Sequence, residues 1–336
     1  MMDVARAAGV GIATVDRVIN RRAPVRPETA QRVLQAAEQL GFRRSGLIRR
    51  RISEETAPQR LGFLLQSRRS PFYRELAAAL REVARALTPT PAEVVIEHLE
   101  ALSPRHVAER LQALGRKVDA VGLVAADHPQ ITQAMQAVTG QGVPVFAFVS
   151  DLTAQPVAGY VGVDNRKMGA SAAWFISRLS RAPGKVGLIL GSHRYLCQEQ
   201  CEISFRSYLR EHAPGFQVLE TLISLEDVGL ARENTLELLH RHPDLAGLYV
   251  AGGGVEGVLE ALAEAPQPHL VNVCHDLTAV TRQALIDGRV AVVLSHPREG
   301  MAARLCELML AALRAPQQGG KVQAVLPFEI YTAANV

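Results

Sequence analysis

The side chains best suited to proton transfer in this 336-residue chain are Asp127 and His128, Asp164, His275 and Asp276, and His296, because carboxylates and imidazoles can act as acids and bases near neutrality. No nucleophile accompanies them. The G-x-S-x-G signature is absent, and the run from Leu190 to Tyr195 (LGSHRY) lacks the second glycine, so these groups read as ligand contacts and no enzymatic activity is expected. His193, Cys197 and Cys201 follow an H-x3-C-x3-C spacing that would suit a metal. In a straight helix the outer two lie about 12 Å apart along the axis, too far for one ion, so neither a metal nor another cofactor is expected. Gly252, Gly253 and Gly254 lack the following Lys-Ser/Thr of a phosphate cradle and are expected to open a cleft loop. The remaining chemistry is charge. Residues 1–51 hold eleven arginines against four carboxylates, a net +7, which leaves −3 of the chain's +4 on everything else. A basic module on a near-neutral body points to a polyanionic partner for the module alone.

The elements that must present those arginines are short helices. Asp3 to Ala8 forms a helix stopped by Gly9, a residue free to take the left-handed conformation. In "IATVDRVIN", Ile12, Val15, Val18 and Ile19 share one face, leaving Ala13, Thr14, Arg17 and Asn20 free. Two helices joined so tightly make a helix-turn-helix. Pro27 opens a third helix through Leu40, with Val33, Leu34, Ala37 and Leu40 as its packing stripe and Gly41 as its stop.

Residues 3–42, through "DVA", "AGV", "ATV", "RV" and "PET", closely resemble the DNA-binding domain of the lactose-repressor (LacI/GalR) family of bacterial transcription regulators. The resemblance implies that the second helix enters the major groove, with Ile12, Ala13 and Arg17 reading bases and Thr14 and Asn20 on phosphates. An arginine paired bidentately with guanine is worth about 1–3 kcal/mol of discrimination. It further implies a hinge helix that enters the minor groove. Departures are informative. Gly11 and Asp16 stand where serine is usual, removing an N-cap hydroxyl and adding a carboxylate. The hinge-like "RRSGLIRRRI" has Arg44, Ile48 and Arg51 in place of the familiar proline, alanine and wedge leucine. Arg49, Arg50 and Arg51 are therefore expected to hold DNA by charge, the alternative being an apolar wedge from Leu47, Ile48 or Ile52.

Beyond a polar linker, "SEETAPQR", apolar runs recur at 61–66, 92–99, 119–126, 143–149, 185–191, 245–254, 269–275 and 290–295, with helical patterns between them. This alternation indicates parallel sheets covered on both faces, and about 280 residues suit two lobes better than one sheet. "LGFLLQSRRSPFYRELAAALREVA", "YVGVDNRKMGASAA" and "LPFEIYTAANV" resemble the effector domain of the same family, which has the periplasmic sugar-binding fold. That likeness implies a ligand between the lobes, met by Phe72, Tyr73, Asp127, His128 and Ser150 from one side. Cys201, Gly252, His275 and Asp276 are implied on the other side, with His296 near a crossing segment. Phe72 and Tyr73 can equally be ordinary core. Val149 and Ser150 replace the usual Asp-Arg pair, Cys201 replaces an arginine, and Ala251 a common asparagine, so charge-assisted bonds that hold a hexose would be missing. Either the ligand differs or effector control has decayed.

The composition, 48% hydrophobic and 21% charged, fits a globular chain. No apolar run approaches the roughly 18 residues of a membrane span, and "MMDVARAAGV" does not read as a secretory signal. A cytoplasmic protein with no membrane partner is expected, its four cysteines (197, 201, 274 and 306) reduced. The fold class is thus α plus α/β: a helix-turn-helix headpiece (1–44), a hinge and linker (45–59) and a two-lobed, periplasmic-binding-protein-like (type I) body (60–336). Lobe 1 is expected near 60–160 and 295–325, lobe 2 near 161–294 and 326–336. By resemblance, the chain is a homodimeric repressor that binds a pseudo-palindromic double-stranded DNA operator under control of a sugar or polyol effector. The alternatives are a sensor of a metal or a non-sugar metabolite and, further off, a hydrolytic enzyme with a DNA-binding appendage.

Overall fold

The computed structural model describes residues 1–20, 23, 25–43, 45, 46, 48, 49, 58–86, 92–153, 155, 157–314 and 321–336. They form two units, Met1–Pro58 and Gln59–Val336.

The first unit holds α1 (Met2–Ala8), α2 (Ile12–Asn20) and α3 (Pro27–Gln39). Gly9 ends α1 at φ 65° and sends its N–H back to the last turn, a geometry that glycine adopts without steric cost. Val4, Val15, Val18, Ile19, Val33, Leu34, Ala37 and Ile48 close a core around the three helices. Two residues expected in the packing stripes are outside it, Ile12 at 49% and Leu40 at 51% exposure. Ile12 opens α2 with no preceding turn to pack under it, and Leu40 caps α3 at ψ 6°, out of helical phase. Ile48 is fully buried, so it belongs to this core and is not the wedge tooth that was one expectation for it. Arg44, Leu47, Arg50, Arg51 and Ile52 lie outside the described residues.

The second unit begins with alternating elements: β1 (Arg60–Leu65), α4 (Pro71–Ala86), β2 (Glu93–His98), α5 (Pro104–Gly115), β3 (Ala120–Leu123), α6 (Pro129–Gly140), β4 (Val145–Phe148) and β5 (Gly159–Val163). A second set follows: α7 (Asn165–Leu179), β6 (Lys185–Leu190), α8 (Leu196–His212), β7 (Gln217–Val218), β8 (Leu222–Ile223), α9 (Val228–Arg241), β9 (Gly247–Val250), α10 (Val255–Glu264), β10 (Val271–His275), α11 (Ala279–Ile286) and β11 (Val292–Ser295). The chain then returns through α12 (Arg298–Arg314) and β12 (Val322–Leu326) and ends in β13 (Glu329–Tyr331). The first sheet runs β12-β5-β4-β3-β1-β2 and the second β13-β11-β10-β9-β6-β7, with β8 also on β6. Only β13 is antiparallel among the pairs described. Their central strands are buried along their length, which is why they read as continuous apolar runs.

The chain passes between lobes three times, at Asp164, after Ser295 and after Leu326. The first passage follows β5, which pairs with β4 and β12 in the first sheet, so lobe 1 extends through Val163, three residues past the expected boundary. Helix α7 then packs on α8 so closely that a Cβ on Gly169 would collide with the Cys201 carbonyl.

Candidate ligand cleft and nucleic-acid interface

Open parallel sheets bind ligands beyond the carboxyl ends of their strands, and here two such ends face each other across a cavity of ≈ 640 Å³. From lobe 1 come Gln66, Phe72, Tyr73, Val149 and Ser150; from lobe 2 come Tyr195, Cys197, Gln198, Glu226, Gly252, His275 and Asp276, with His296 at a crossing.

Asp276 follows β10 in the left-handed region at φ 66°, a conformation costly for a residue with a Cβ unless its surroundings over-determine it. They do. Its N–H donates to the Leu294 carbonyl at 2.9 Å and its own carbonyl accepts from Thr281 Oγ1 at 2.7 Å. Its Oδ1 accepts from the His296 backbone N–H at 3.1 Å and faces His296 Nδ1 at 2.8 Å. Burial alone would raise the Asp276 carboxyl, but His296, by charge and hydrogen bonds, and His275 hold it below the usual range. Burial lowers His275 to about 4 despite Asp276, and its Nε2 sits 2.7 Å from the Tyr249 hydroxyl.

Glu226 is also left-handed, at φ 61° behind Leu225 at φ 53°. Its carboxylate lies between Gly191 and Gly253, where a Cβ on either would strike it. Gln198 Nε2 donates to Glu226 Oε1 at 2.6 Å, while Gln198 Oε1 accepts the N–H groups of Gly191 and Ser192 at 2.8 and 2.9 Å. Burial raises Glu226 above the usual carboxylate range against the hydrogen bonds of Gln198 and Gly253.

Of the residues singled out from sequence, Phe72, Tyr73, Ser150, Gly252, His275, Asp276 and His296 line this cleft. Phe72 and Tyr73 meet edge to face at 4.9 Å, and Phe72 stands 5.5 Å from the His296 ring. Asp127 and His128 are elsewhere. Asp127 accepts from the N–H and hydroxyl of Thr153 and donates its own N–H to the Arg194 carbonyl at 2.9 Å, tying lobe 1 to lobe 2. His128 caps α6 through Nδ1, and faces an adjoining, apolar cavity of ≈ 440 Å³. Cys201 is in the core, its thiol donating to the Asn165 carbonyl at 3.3 Å; Cys197, one helical turn earlier, lines the cleft instead. Burial pushes the Cys197 thiol up to about 12. His193 turns to Glu202 at 2.7 Å, so the H-x3-C-x3-C residues go to three separate places. Sequence reasoning did not single out Gln66, Tyr195, Gln198 or Glu226. Cys197 and Gln198 share a helix with Cys201, and only the packing of α8 decides which of them faces the opening.

In the first unit, α2 turns Val15, Val18 and Ile19 inward and leaves Ile12, Ala13, Arg17 and Asn20 exposed, with Thr14 half-buried. The Gly11 carbonyl accepts from the Thr14 N–H at 2.9 Å, which starts the helix without a side-chain cap. Asn20 Nδ2 donates to Asp16 Oδ1 at 2.6 Å, so the carboxylate standing in for serine orients one of the implied phosphate contacts. Arg49 pairs with Glu38 at 2.8 Å.

The second unit has the architecture of a periplasmic binding protein domain, and residues 61–317 match that family. That match spans most of the chain, which belongs to the periplasmic binding protein domain family; residues 1–45 match the lacI family of bacterial regulatory proteins. Catabolite control protein A of Priestia megaterium is 30% identical over 130 residues, 38% of either chain. The HTH-type transcriptional regulator MalR of Streptomyces coelicolor is 28% identical over 199 residues, 58% of this chain and 55% of that one. The matches thus span less than two thirds of these relatives' own length. An ABC transporter solute binding protein of Agrobacterium vitis, solved with alpha-D-tagatopyranose, superposes with a TM-score of 0.75 at 20% identity, over 82% of this chain and 95% of that one. Among the described residues, no helix is long and apolar enough to cross a membrane.

Proposed function

We propose that the protein is a sequence-specific DNA-binding transcription regulator, a repressor, whose hold on its operator is set by a small polar effector in the cleft. The observation that carries this reading is the union in one chain of α2, with a polar face open beside its own small core, and a ≈ 640 Å³ cleft in which Glu226 and Asp276 are held in left-handed backbone. A homodimer on a pseudo-palindromic operator follows from energetics. One helix-turn-helix makes few contacts, and two joined copies gain an effective concentration that the body can alter. An effector acts by binding one arrangement of the lobes better than the other. A sugar or polyol is the class to test first, since the Agrobacterium neighbour was solved with a sugar. The relatives named above are transcription regulators, which favours sensing over catalysis in the cleft.

The test is twofold. Selection from random duplexes should enrich a two-fold symmetric site for the full chain and nothing for a fragment beginning at Gln59, whose core is its own. That fragment should still melt higher with a bound effector. Operator binding by the fragment at physiological salt would overturn the assignment.

A further inference from the structure

Carboxylate acceptors line the cleft. Asp276 engages His296 through Oδ1, and no protein hydrogen bond reaches its Oδ2 among the described residues. His296 Nδ1 faces that carboxylate and leaves Nε2 turned away from it. That Nε2 has no partner among the described residues, although His296 is only 6% exposed and lines the cleft. Glu226 adds a second carboxylate. Two neighbouring side chains that could donate are already engaged. Gln198 spends its amide on Gly191, Ser192 and Glu226, and Ser150 is engaged by Cys197 and Asp151. Arg69 and Arg74 are the cations of the lining among the described residues. Both are exposed at the rim, and Arg74 is bound to the carbonyls of Arg68 and Arg69. Three aromatic rings, Phe72, Tyr73 and Tyr195, complete the walls, and Tyr73 lies within electrostatic reach of both Glu226 and Asp276.

Resting on the reading of this cleft as the effector site, we infer that it selects a small polar molecule carrying a positively charged amine, such as an amino sugar or an amino polyol. An ammonium is donor-only, so it satisfies carboxylates without needing a donor in return. Aromatic faces attract the same charge. A hydroxyl is both donor and acceptor, and a carboxylate on the ligand would meet Glu226 and Asp276 as like charges.

Calorimetry on the full chain with matched pairs tests this: D-glucosamine against D-glucose and N-acetyl-D-glucosamine, and 1-amino-1-deoxysorbitol against sorbitol. The amine of each pair should bind at least 10-fold tighter, and its affinity should fall with salt. Glu226→Gln, which keeps shape and one acceptor oxygen, should bring the amine-to-neutral ratio of dissociation constants toward one, with its cooperative melting showing that it folds. Equal or tighter binding of the neutral or acetylated members overturns the inference while leaving the cleft as an effector site. Retention of the full ratio in Glu226→Gln also overturns it. Absence of binding by every compound overturns both it and the reading on which it rests.

Discussion

His296 meets Asp276 Oδ1 twice, through its backbone N–H at 3.1 Å and its Nδ1 at 2.8 Å, and the two residues belong to consecutive strand ends. Strand β10 delivers Asp276 and β11 delivers His296, so the pair registers one strand against the next where the ligand would sit. Asp276→Asn keeps the side-chain shape, and asparagine tolerates the left-handed backbone. Loss of a charge-assisted hydrogen bond, worth about 1.5–3 kcal/mol, should weaken effector binding by about 10- to 100-fold and leave operator affinity without effector unchanged. Calorimetry and fluorescence anisotropy check the two halves, and undiminished effector affinity would remove Asp276 from the site.

Stability should depend on pH through His275. Its unfolded value is 6.5 and burial brings the folded value to about 4, so below neutrality the unfolded chain binds the extra proton. The stabilisation from a neutral buried imidazole is fully present above pH 6.5 and is lost as pH falls toward 4. Between pH 7 and pH 5 this amounts to roughly 2 kcal/mol. Urea unfolding of the wild type and of His275→Gln at both pH values should show the variant less sensitive by that amount. Parallel losses in the two proteins would contradict it.

Arg17 and Thr14 should separate base reading from backbone anchoring. Arg17→Ala should relax preference at one position of each half-site, costing about 1–3 kcal/mol, whereas Thr14→Ala should weaken all sequences alike. Selection from random duplexes with each variant measures the difference, and an unchanged logo for Arg17→Ala takes this residue out of the reading set.

The hinge should divide into a packing residue and charges. Ile48 is fully buried in the headpiece core, so Ile48→Ala should lower the headpiece's stability by about 2–5 kcal/mol. Replacing Arg49, Arg50 and Arg51 together by alanine should flatten the dependence of log K on log salt by about 0.9 for each phosphate no longer neutralised, with DNA bending nearly unchanged. A preserved slope with a much weaker bend would instead assign the hinge to an apolar wedge at Leu47 or Ile52.

The helix-turn-helix was legible because its determinants are local. A glycine stop after Ala8, the Val15, Val18 and Ile19 spacing, and Pro27 at a first turn each act within a few residues. The misplaced pair, Ile12 and Leu40, lie at helix ends, where periodicity continues in the sequence but the helix supplies no further turn to bury them. The central strands were legible for a similar reason, since burial on both faces writes an unbroken apolar run. Strands β7 and β8 have two residues each, too few to carry a pattern, and the extension of lobe 1 to Val163 depends on which neighbour β5 pairs with. The cleft divides along the same line. Asp276 and His275 could be named because the family resemblance puts the ligand at strand ends and they end a recognisable strand. Glu226 could not, for it follows the two-residue β8, and its place is set by backbone at positive φ and by two distant glycines that leave room for its carboxylate. Cys197 and Cys201 make the point most sharply: one helix carries both, and the close approach of α7 at Gly169 turns Cys201 into the core and Cys197 toward the opening. Residue types and periods determined which elements form, whereas pairing and packing between elements distant in sequence decided which side chains meet in the cleft.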